Sequence, residues 1–108
     1  MNLEDYLSNQ LLWSAGIFGL GTRQVGIAKH IEKELVEVMN EKDNPQRRME
    51  EWCDIVILAL DGAWRCGFSP EEIADQLEKK QEINMHRDWP LTIPDDDEPM
   101  EHIRKEEK

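Results

Sequence analysis

The residues best suited to chemistry are two pairs of carboxylates. Glu34 and Glu37 form the first pair and Glu51 and Asp54 the second, each spaced i, i+3. Residues at this spacing share one face of a helix, so antiparallel packing of two such helices would bring the four side chains face to face. Carboxylate oxygens suit hard cations such as Mg²⁺ or Mn²⁺, and Mg²⁺ is usually completed by water and substrate phosphates. The pattern therefore points to a nucleotide site.

Spacing alone leaves other interpretations of these carboxylates open. A single Glu-x-x-Glu pair usually lies on a solvated helix face. A di-iron carboxylate bundle needs Glu-x-x-His motifs, whereas His30 precedes Glu34 by four residues. The di-iron interpretation is therefore disfavoured, but a metal site and a set of surface charges both stay open at this point.

Four helices are predicted to position these residues. We expect them over Leu3 to Ala15, Thr22 to Asn40, Asn44-Pro45 to about Arg65, and Ser69-Pro70 to about His86. Asn and Ser followed by Pro are helix-start signals, Glu72 would close a capping box with Ser69, and Gly67 is placed to end the third helix. The glycines from Gly16 to Gly21 predict a turned loop after the first helix.

Each predicted helix has an expected buried face. The apolar stripe of the first helix is predicted to be Leu3, Leu7, Leu11 and Leu12, and that of the second Ile27, Ile31, Leu35 and Val38, flanked by His30, Glu34, Glu37 and Glu41. The apolar run Ile55 to Leu60 predicts that the third helix is buried all round at the centre of a bundle. On the fourth helix, the face that is apolar at its start carries Lys80, Asn84 and Arg87 further along. These residues would suit either contact with solvent or binding of a polar ligand.

The predicted class is all-α, because no segment alternates convincingly like a strand. Three helices are too few to cover so apolar a central helix, so we expect the bundle to be completed by oligomerisation. Residues 1–92 are expected to form the domain, and residues 93–108 an acidic tail that includes at most a short helix.

Composition excludes several classes of partner. The chain has 108 residues and a formal net charge of −11, which argues against binding nucleic acid or an anionic membrane surface. No segment approaches the roughly 20 apolar residues of a membrane span. Cys53 and Cys66 would lie about 20 Å apart on one helix, too far for a disulfide. We interpret both as reduced packing residues of a cytoplasmic protein.

The carboxylate pattern resembles the signature of the MazG-like, all-α nucleoside triphosphate pyrophosphohydrolases. Those enzymes typically carry one more Glu directly before the first pair, where this chain has Lys33. Over nearly the whole chain, other motifs resemble the phage and bacterial dATP/dGTP pyrophosphohydrolase family. They are Trp13-Ser14, Phe18-Gly19-Leu20-Gly21-Thr22-Arg23, His30-Ile31-x-Lys33-Glu34-Leu35, Leu60-Asp61-Gly62-Ala63-Trp64-Arg65, Asn84-x-x-Arg87-x-Trp89-Pro90 and Glu101-His102-Ile103-Arg104.

The resemblance implies an enzyme that cleaves a (d)NTP to a (d)NMP and pyrophosphate, with dGTP or GTP as the expected substrate. It implies a MazG-like bundle that forms a dimer or tetramer. It also implies two or more Mg²⁺ or Mn²⁺ ions per active site, held by Glu34, Glu37, Glu51 and Asp54. The family includes phage enzymes that supply dGMP where 2-aminoadenine replaces adenine. This pathway is the expected setting, with the protein in the host cytoplasm if a phage encodes it.

Roles for individual residues follow from the same resemblance. Catalytic roles are expected for Glu34, Glu37, Lys80 and Arg87, with Glu37 as the general base. Substrate contacts are expected from Trp13, Ser14, Arg23, His30, Lys33, Asp61, Lys80, Asn84 and Arg87. Core packing is equally open for Trp13, a border position is favoured for His30, and a salt bridge to Arg65 is favoured for Asp61.

Two alternative functions stay open beside the pyrophosphohydrolase. One is a house-cleaning enzyme that removes non-standard nucleotides. The other is a non-catalytic helical module whose acidic cluster binds a structural metal or a basic partner. The joint presence of the four carboxylates and the stripe of Lys80, Asn84 and Arg87 favours an enzyme over such a module.

Overall fold

Four helices make up most of the part of the chain that the structure, a computed structural model, describes, namely residues 1–104. They are α1 (Leu3–Phe18), α2 (Gln24–Asn40), α3 (Pro45–Trp64) and α4 (Pro70–His86). Among the described residues the only β pairing is an isolated bridge between Asp88 and Ile103. The predicted all-α class is confirmed. None of the helices described is both long and apolar enough to cross a membrane.

The helix starts follow the predicted capping signals. The side chain of Asn44 accepts a hydrogen bond from the backbone N–H of Arg47 at 3.1 Å, and Pro45 opens α3. At α4, Ser69 Oγ accepts from the Glu72 N–H at 3.1 Å while Glu72 Oε1 accepts from the Ser69 N–H at 3.2 Å. This reciprocal pair is the predicted capping box.

The first helix is longer than predicted, because α1 continues through Gly16 to Phe18. One glycine inside a helix costs only about 1 kcal/mol relative to alanine and does not by itself end it. The helix ends at Gly19, whose φ of 81° favours glycine. Gly67, with a φ of 98°, follows α3 as predicted. Within the described part of the chain, Arg23, directly before α2, is the one non-glycine residue with positive φ, at 46°.

The chain divides into two compact units, Met1–Ala74 and Asp75–Lys108. In the first unit, α2 runs antiparallel to α3: Gln24 donates to the Gly62 carbonyl at 3.0 Å, and Arg48 to the Val38 carbonyl at 3.3 Å. By contrast, α1 runs parallel to α3. Gln10 on α1 contacts Ile57 on α3, and Ser14, one turn later on α1, contacts Asp61, one turn later on α3. The predicted domain boundary at residues 92–93 stays a prediction.

The core of the first unit is small and lies between α1, α3 and the first turn of α4. Its buried members are Leu7, Leu60, Trp64 and Ile73, with Tyr6, Leu11, Ala15 and Ala63 packed against them. The predicted stripe of α1 is partly wrong, since Leu3 and Leu12 are exposed. The buried residues of α1 are Leu7, Gln10 and Ser14, so two of the three are polar.

The predicted stripe of α2 is wrong at one position that matters. Leu35 is 42% exposed whereas Glu34 is only 8% exposed. The buried residues of α2 are Ile27, Glu34 and Val38. Positions 34 and 35 both border the apolar stripe. The packing of α2 on α3 buries Glu34 and leaves Leu35 at the surface.

The prediction that α3 is buried all round is also wrong for the single chain. Trp52 and Val56 are 50% and 55% exposed, and the buried residues of α3 are Leu60, Asp61 and Trp64. The reason is that α1 and α2 cover only part of this helix. Cys53 and Cys66 are free, as predicted, but both are exposed. They are therefore not the packing residues expected from the sequence.

The second unit contains the rest of α4 and the segment that follows it. The Ile103 N–H donates to the Asp88 carbonyl at 2.6 Å, and Trp89 lies edge-on to His102 with ring centroids 5.9 Å apart. Two of the motifs noted in the sequence therefore contact each other here. Residues 93–104 form no helix. The remainder of the expected terminal helix, residues 105–108, lies outside the described residues.

Candidate active site

Antiparallel packing of α2 on α3 brings together three of the four predicted carboxylates. Glu34, Glu37 and Glu51 each offer an oxygen within 4.8 Å of the others; we call this set the carboxylate cluster. Glu34 is buried, and Glu37 and Glu51 are half-buried. Asp54 is exposed and does not belong to the group. The structure thus assembles a three-carboxylate cluster from two helices, with Asp54 one turn further along α3.

The cluster has the electrostatics of carboxylates forced together. Hydrogen bonding with the carboxyl group of Glu34, then with that of Glu37, followed by desolvation and like charge, raises the pKa of Glu51 from 4.5 to about 7. A proton on Glu51 can be shared with its neighbours, whereas three ionised carboxylates repel one another. Without a counterion, Glu51 therefore loses its proton only as the pH rises through about 7.

Two oxygens of the cluster have no hydrogen-bond partner among residues 1–104. These buried atoms are Glu34 Oε2 and Glu51 Oε2. The other oxygen of Glu34, Oε1, lies 3.3 Å from His30 Nε2. Burying a carboxylate oxygen without a donor is costly unless positive charge meets it. The unpaired oxygens and the all-oxygen donor set fit a hard divalent cation.

A cleft of about 210 Å³ lies beside the cluster and shares Glu34 with it. Its residues come from three helices: Gln10, Trp13, Ser14 and Phe18 from α1, His30 and Glu34 from α2, and Asp54, Ile57, Leu58 and Asp61 from α3. Aromatic and aliphatic walls with a few polar groups are typical of a small-molecule site.

An aromatic pair forms part of the cleft wall. Trp13 and Phe18 meet edge to face with ring centroids 5.6 Å apart, and the guanidinium of Arg23 lies 5.6 Å from the centre of the Phe18 ring. Trp13 is 60% exposed, so the interpretation of Trp13 as a core residue is wrong. An exposed indole at a cleft is available for stacking.

A buried polar network lies at the Asp61 side of the cleft. Asp61 Oδ1 accepts hydrogen bonds from Ser14 Oγ at 2.6 Å and from Trp64 Nε1 at 2.8 Å, and Asp61 Oδ2 accepts from Arg65 Nε at 3.0 Å. The favoured salt bridge between Asp61 and Arg65 is confirmed. The acceptor oxygens of Asp61 are therefore already used within the chain, and Ser14 is only 2% exposed.

The same arginine also holds the loop between α1 and α2. Arg65 Nη1 donates to the Gly19 carbonyl at 2.9 Å and to the Gly21 carbonyl at 2.7 Å. These contacts connect the Gly loop, the Trp-Ser pair and the Asp-Gly-Ala-Trp-Arg motif, which are far apart in sequence. Their combined role in the structure is to fix α1, and with it one wall of the cleft, on α3.

The remaining predicted site residues lie on exposed or half-buried surfaces. Lys33 is exposed on α2. In the second unit, Lys80 is exposed, and Arg87 Nη1 donates to Asn84 Oδ1 at 2.8 Å. The backbone carbonyl of Asn84 accepts from Trp89 Nε1 at 2.7 Å. The roles of Lys80, Asn84 and Arg87 toward a substrate stay predictions.

Sequence reasoning missed four residues that line the cleft, Gln10, Phe18, Ile57 and Leu58. Gln10 had a detectable signal, because it falls at i+3 from Leu7 and i−4 from Ser14. A glutamine on the buried face of a helix needs hydrogen-bond partners. Its contact on α3 lies 47 residues away, and no local pattern predicts such a contact.

Comparison with known proteins identifies one family. The model of the family described as dATP/dGTP pyrophosphohydrolase matches residues 7–108, which is almost the whole chain. No curated protein and no solved structure matches it.

Proposed function

The chain belongs to the dATP/dGTP pyrophosphohydrolase family, and from this premise we propose that it hydrolyses a purine deoxynucleoside triphosphate, preferably dGTP, in a reaction that depends on a divalent cation. As a member of that family it is a hydrolase that releases pyrophosphate. The observation that carries the finer proposal is the carboxylate cluster, which shares Glu34 with an aromatic-lined cleft.

Glu34, Glu37 and Glu51 would hold Mg²⁺ or Mn²⁺, with Asp54 contributing from the next turn of α3. The unpaired Glu34 Oε2 and Glu51 Oε2 support this assignment. We propose two or more ions per site, since carboxylates outnumber the protein ligands that Mg²⁺ commonly takes. When bound, divalent cations neutralise phosphate oxygens and lower the pKa of a bound water.

The protein groups divide the remaining work. Glu37 takes the proton from the water that attacks the α-phosphorus, and the bond from that phosphorus to the bridging oxygen of the pyrophosphate breaks. Lys80 and Arg87 stabilise the negative charge that develops on the departing pyrophosphate. Asn84, which has both a donor and an acceptor, contacts the sugar or the phosphates.

The cleft would take the nucleoside. Trp13 and Phe18 offer aromatic surface for a purine ring, and such stacking is insensitive to which purine is bound. Arg23 and Lys33 are exposed cations that can reach phosphate oxygens, and His30 lies beside Glu34. Ser14 and Asp61 act by holding the cleft wall, because their hydrogen bonds are made to each other and to Arg65.

We propose that the enzyme functions as a homo-oligomer, a dimer or a tetramer. Trp52 and Val56 lie one turn apart on α3 and are 50% and 55% exposed. Apolar surface of this kind on a helix is commonly covered by a partner. Light scattering on a size-exclusion column should give a multiple of the 12.7 kDa chain mass. Trp52→Glu should shift the protein toward monomer, whereas Leu91→Glu, at a fully exposed position, should not.

The proposed biological setting is dGMP supply in a phage that replaces adenine with 2-aminoadenine. The support is the resemblance of motifs along nearly the whole chain to the phage and bacterial dATP/dGTP pyrophosphohydrolase family. A house-cleaning role against non-standard nucleotides is the alternative, and it differs in predicting broad base tolerance.

An endpoint assay on the purified protein tests the proposal. Each of the eight common NTPs and dNTPs is incubated with Mg²⁺ or Mn²⁺, and the products are separated chromatographically. Monophosphate and pyrophosphate arising mainly from dGTP and GTP would support the proposed substrate. Products from every nucleotide would favour the house-cleaning role. Equal turnover in the presence of a chelator would overturn the metal dependence.

A further inference from the structure

Gln10 is a polar residue buried on the side of α1 that faces α3. It is 9% exposed and lines the cleft together with Trp13 and Phe18. Its Nε2 donates a hydrogen bond to the backbone carbonyl of Ile57 at 2.7 Å. This bond spans two helices and holds the amide group in one place.

The same bond determines which terminal atom of the Gln10 amide is the nitrogen and which is the oxygen. A carbonyl oxygen can only accept, so the atom 2.7 Å from the Ile57 oxygen must be the amide nitrogen. A flipped amide would place two acceptor oxygens against each other. The oxygen of Gln10, Oε1, is therefore the remaining atom, and it is buried with no hydrogen-bond partner among the described residues.

An unpaired buried acceptor is costly, and native proteins seldom keep one without a reason. This acceptor belongs to a residue that lines an aromatic-walled cleft, although the atom itself is closed to solvent. A ligand that carries a donor can therefore complete it once the side chains that cover the atom move aside. The phosphates of a nucleotide are acceptors and cannot do so. Guanine and adenine both carry an exocyclic amino group, whereas hypoxanthine does not.

We propose that Gln10 is a specificity-determining residue whose Oε1 accepts a hydrogen bond from the exocyclic amino group of the purine in this cleft. The inference rests on the proposed function, because it assumes that a purine nucleotide is the ligand. The amine is on C2 in guanine and on C6 in adenine, so each base would present its donor to Oε1 in a different orientation, and a purine without an amine would lack this donor altogether. A site built to pair with a polar group rejects the analogue without that group.

The native protein supplies the first test. The triphosphates dGTP and dITP differ only in the 2-amino group, so kcat/KM is measured for both. We expect dGTP to be preferred by about tenfold or more, the size of effect that one buried hydrogen bond gives. Equal values for the two nucleotides would overturn the proposal, and would point to a donor that both share, namely the N1–H of the base or the 3′-hydroxyl of the sugar.

Gln10→Met supplies the second test, because methionine has a similar length and no amide acceptor. The preference for dGTP over dITP should fall to about 1, mainly through loss of activity on dGTP. Gln46→Met, at an exposed position of α3, is the matched control and should keep the native ratio. A native ratio in folded Gln10→Met would overturn the inference. If Gln10→Met does not fold, the comparison on the native protein still decides.

Binding separates this inference from the proposed function. Calorimetry with dGMP and dIMP reports recognition of the amino group without turnover. Tighter binding of dGMP, with no pyrophosphate released from any nucleotide, would support the role of Gln10 and overturn the proposed substrate and metal chemistry. If the enzyme hydrolyses dGTP but neither turnover nor binding distinguishes guanine from hypoxanthine, the proposed function would stand and the role of Gln10 would be overturned.

Discussion

The guanidinium of Arg65 lies 3.0 Å from the carboxylate of Asp61, one turn earlier on α3, and the Arg65 side chain has no exposed surface. Arg65 also donates to Ser14 Oγ and to two carbonyls of the loop between α1 and α2. Buried ion pairs depend on such additional hydrogen bonds to offset desolvation. This pair has them, so it serves as the anchor of α1 on α3.

Arg65→Met should be strongly destabilising. The change leaves the carboxylate of Asp61 buried without its cation and two loop carbonyls without their donor. Removing one partner of a buried pair typically costs about 3–5 kcal/mol. Urea denaturation followed by circular dichroism measures the loss in the free energy of unfolding.

The exposed pair of Arg47 and Glu41 offers the control. Their charged atoms are 3.9 Å apart and the Arg47 side chain is 67% exposed. Arg47→Met should cost no more than about 1 kcal/mol, since surface pairs contribute little. If Arg65→Met proved no more destabilising than Arg47→Met, the anchoring role of Arg65 would be wrong.

The pKa of Glu51 predicts how the stability of the metal-free protein depends on pH. Its folded value, about 7, lies above its ordinary value of 4.5, so the folded state binds this proton more tightly. The stabilisation is fully present below about pH 4.5 and is lost as the pH rises through 7. The melting temperature in chelator should therefore fall between pH 5 and pH 8. Glu51→Gln should flatten this decline, and an unchanged slope would contradict the prediction.

A divalent cation should reverse that loss. At pH 8, above the pKa of Glu51 of about 7, Mg²⁺ or Mn²⁺ should raise the melting temperature of the native protein. A ligand at 100 times its Kd adds about 2.7 kcal/mol of stability. Glu34→Gln should remove most of the effect, whereas Asp54→Asn should remove less, because Asp54 lies outside the cluster. Equal losses in the two variants would show that Asp54 binds as closely as the other three.

Glu37→Gln should abolish turnover and leave the helical circular dichroism intact. Glu37 is half-buried, so the amide can replace the carboxylate without a packing defect. Loss of a general base commonly lowers kcat by about 10²–10⁴-fold, and a lost ligand lowers it further. Glu32→Gln, at an exposed position of the same helix, is the control. An active Glu37→Gln enzyme would refute both roles given to this residue.

Features that depend on neighbours in sequence could be predicted. Each of these features involves residues only a few positions apart in the sequence. They are the caps at Asn44 and Ser69, the end of α3 near Gly67 and the pairing of Asp61 with Arg65. The burial of Glu34 in place of Leu35 could not be predicted. Adjacent positions differ by about 100° around a helix, and both border the stripe, so only the contact with α3 selects between them.

The candidate site shows the same division. The i, i+3 pairs identified the carboxylates, and the antiparallel arrangement that the short loop imposes was expected to unite all four. Three are united, and Asp54 is not. The partners of Ser14 and Gln10 lie 47 residues away on α3. Contacts at that separation depend on how whole helices pack, which periodicity does not report.

The parallel packing of α1 on α3 has a consequence for the order of folding. The α2–α3 hairpin closes through residues 41–44 alone, whereas the contacts that fix α1 join residues 44 to 51 positions apart. Closing the longer loop costs more chain entropy and is slower. We therefore expect the hairpin, and with it the carboxylate cluster, to form before α1 docks. The wall of the cleft that α1 forms is then the last part of the candidate site to be built and the first to open, so amide protons of α1 should exchange sooner than those of α3.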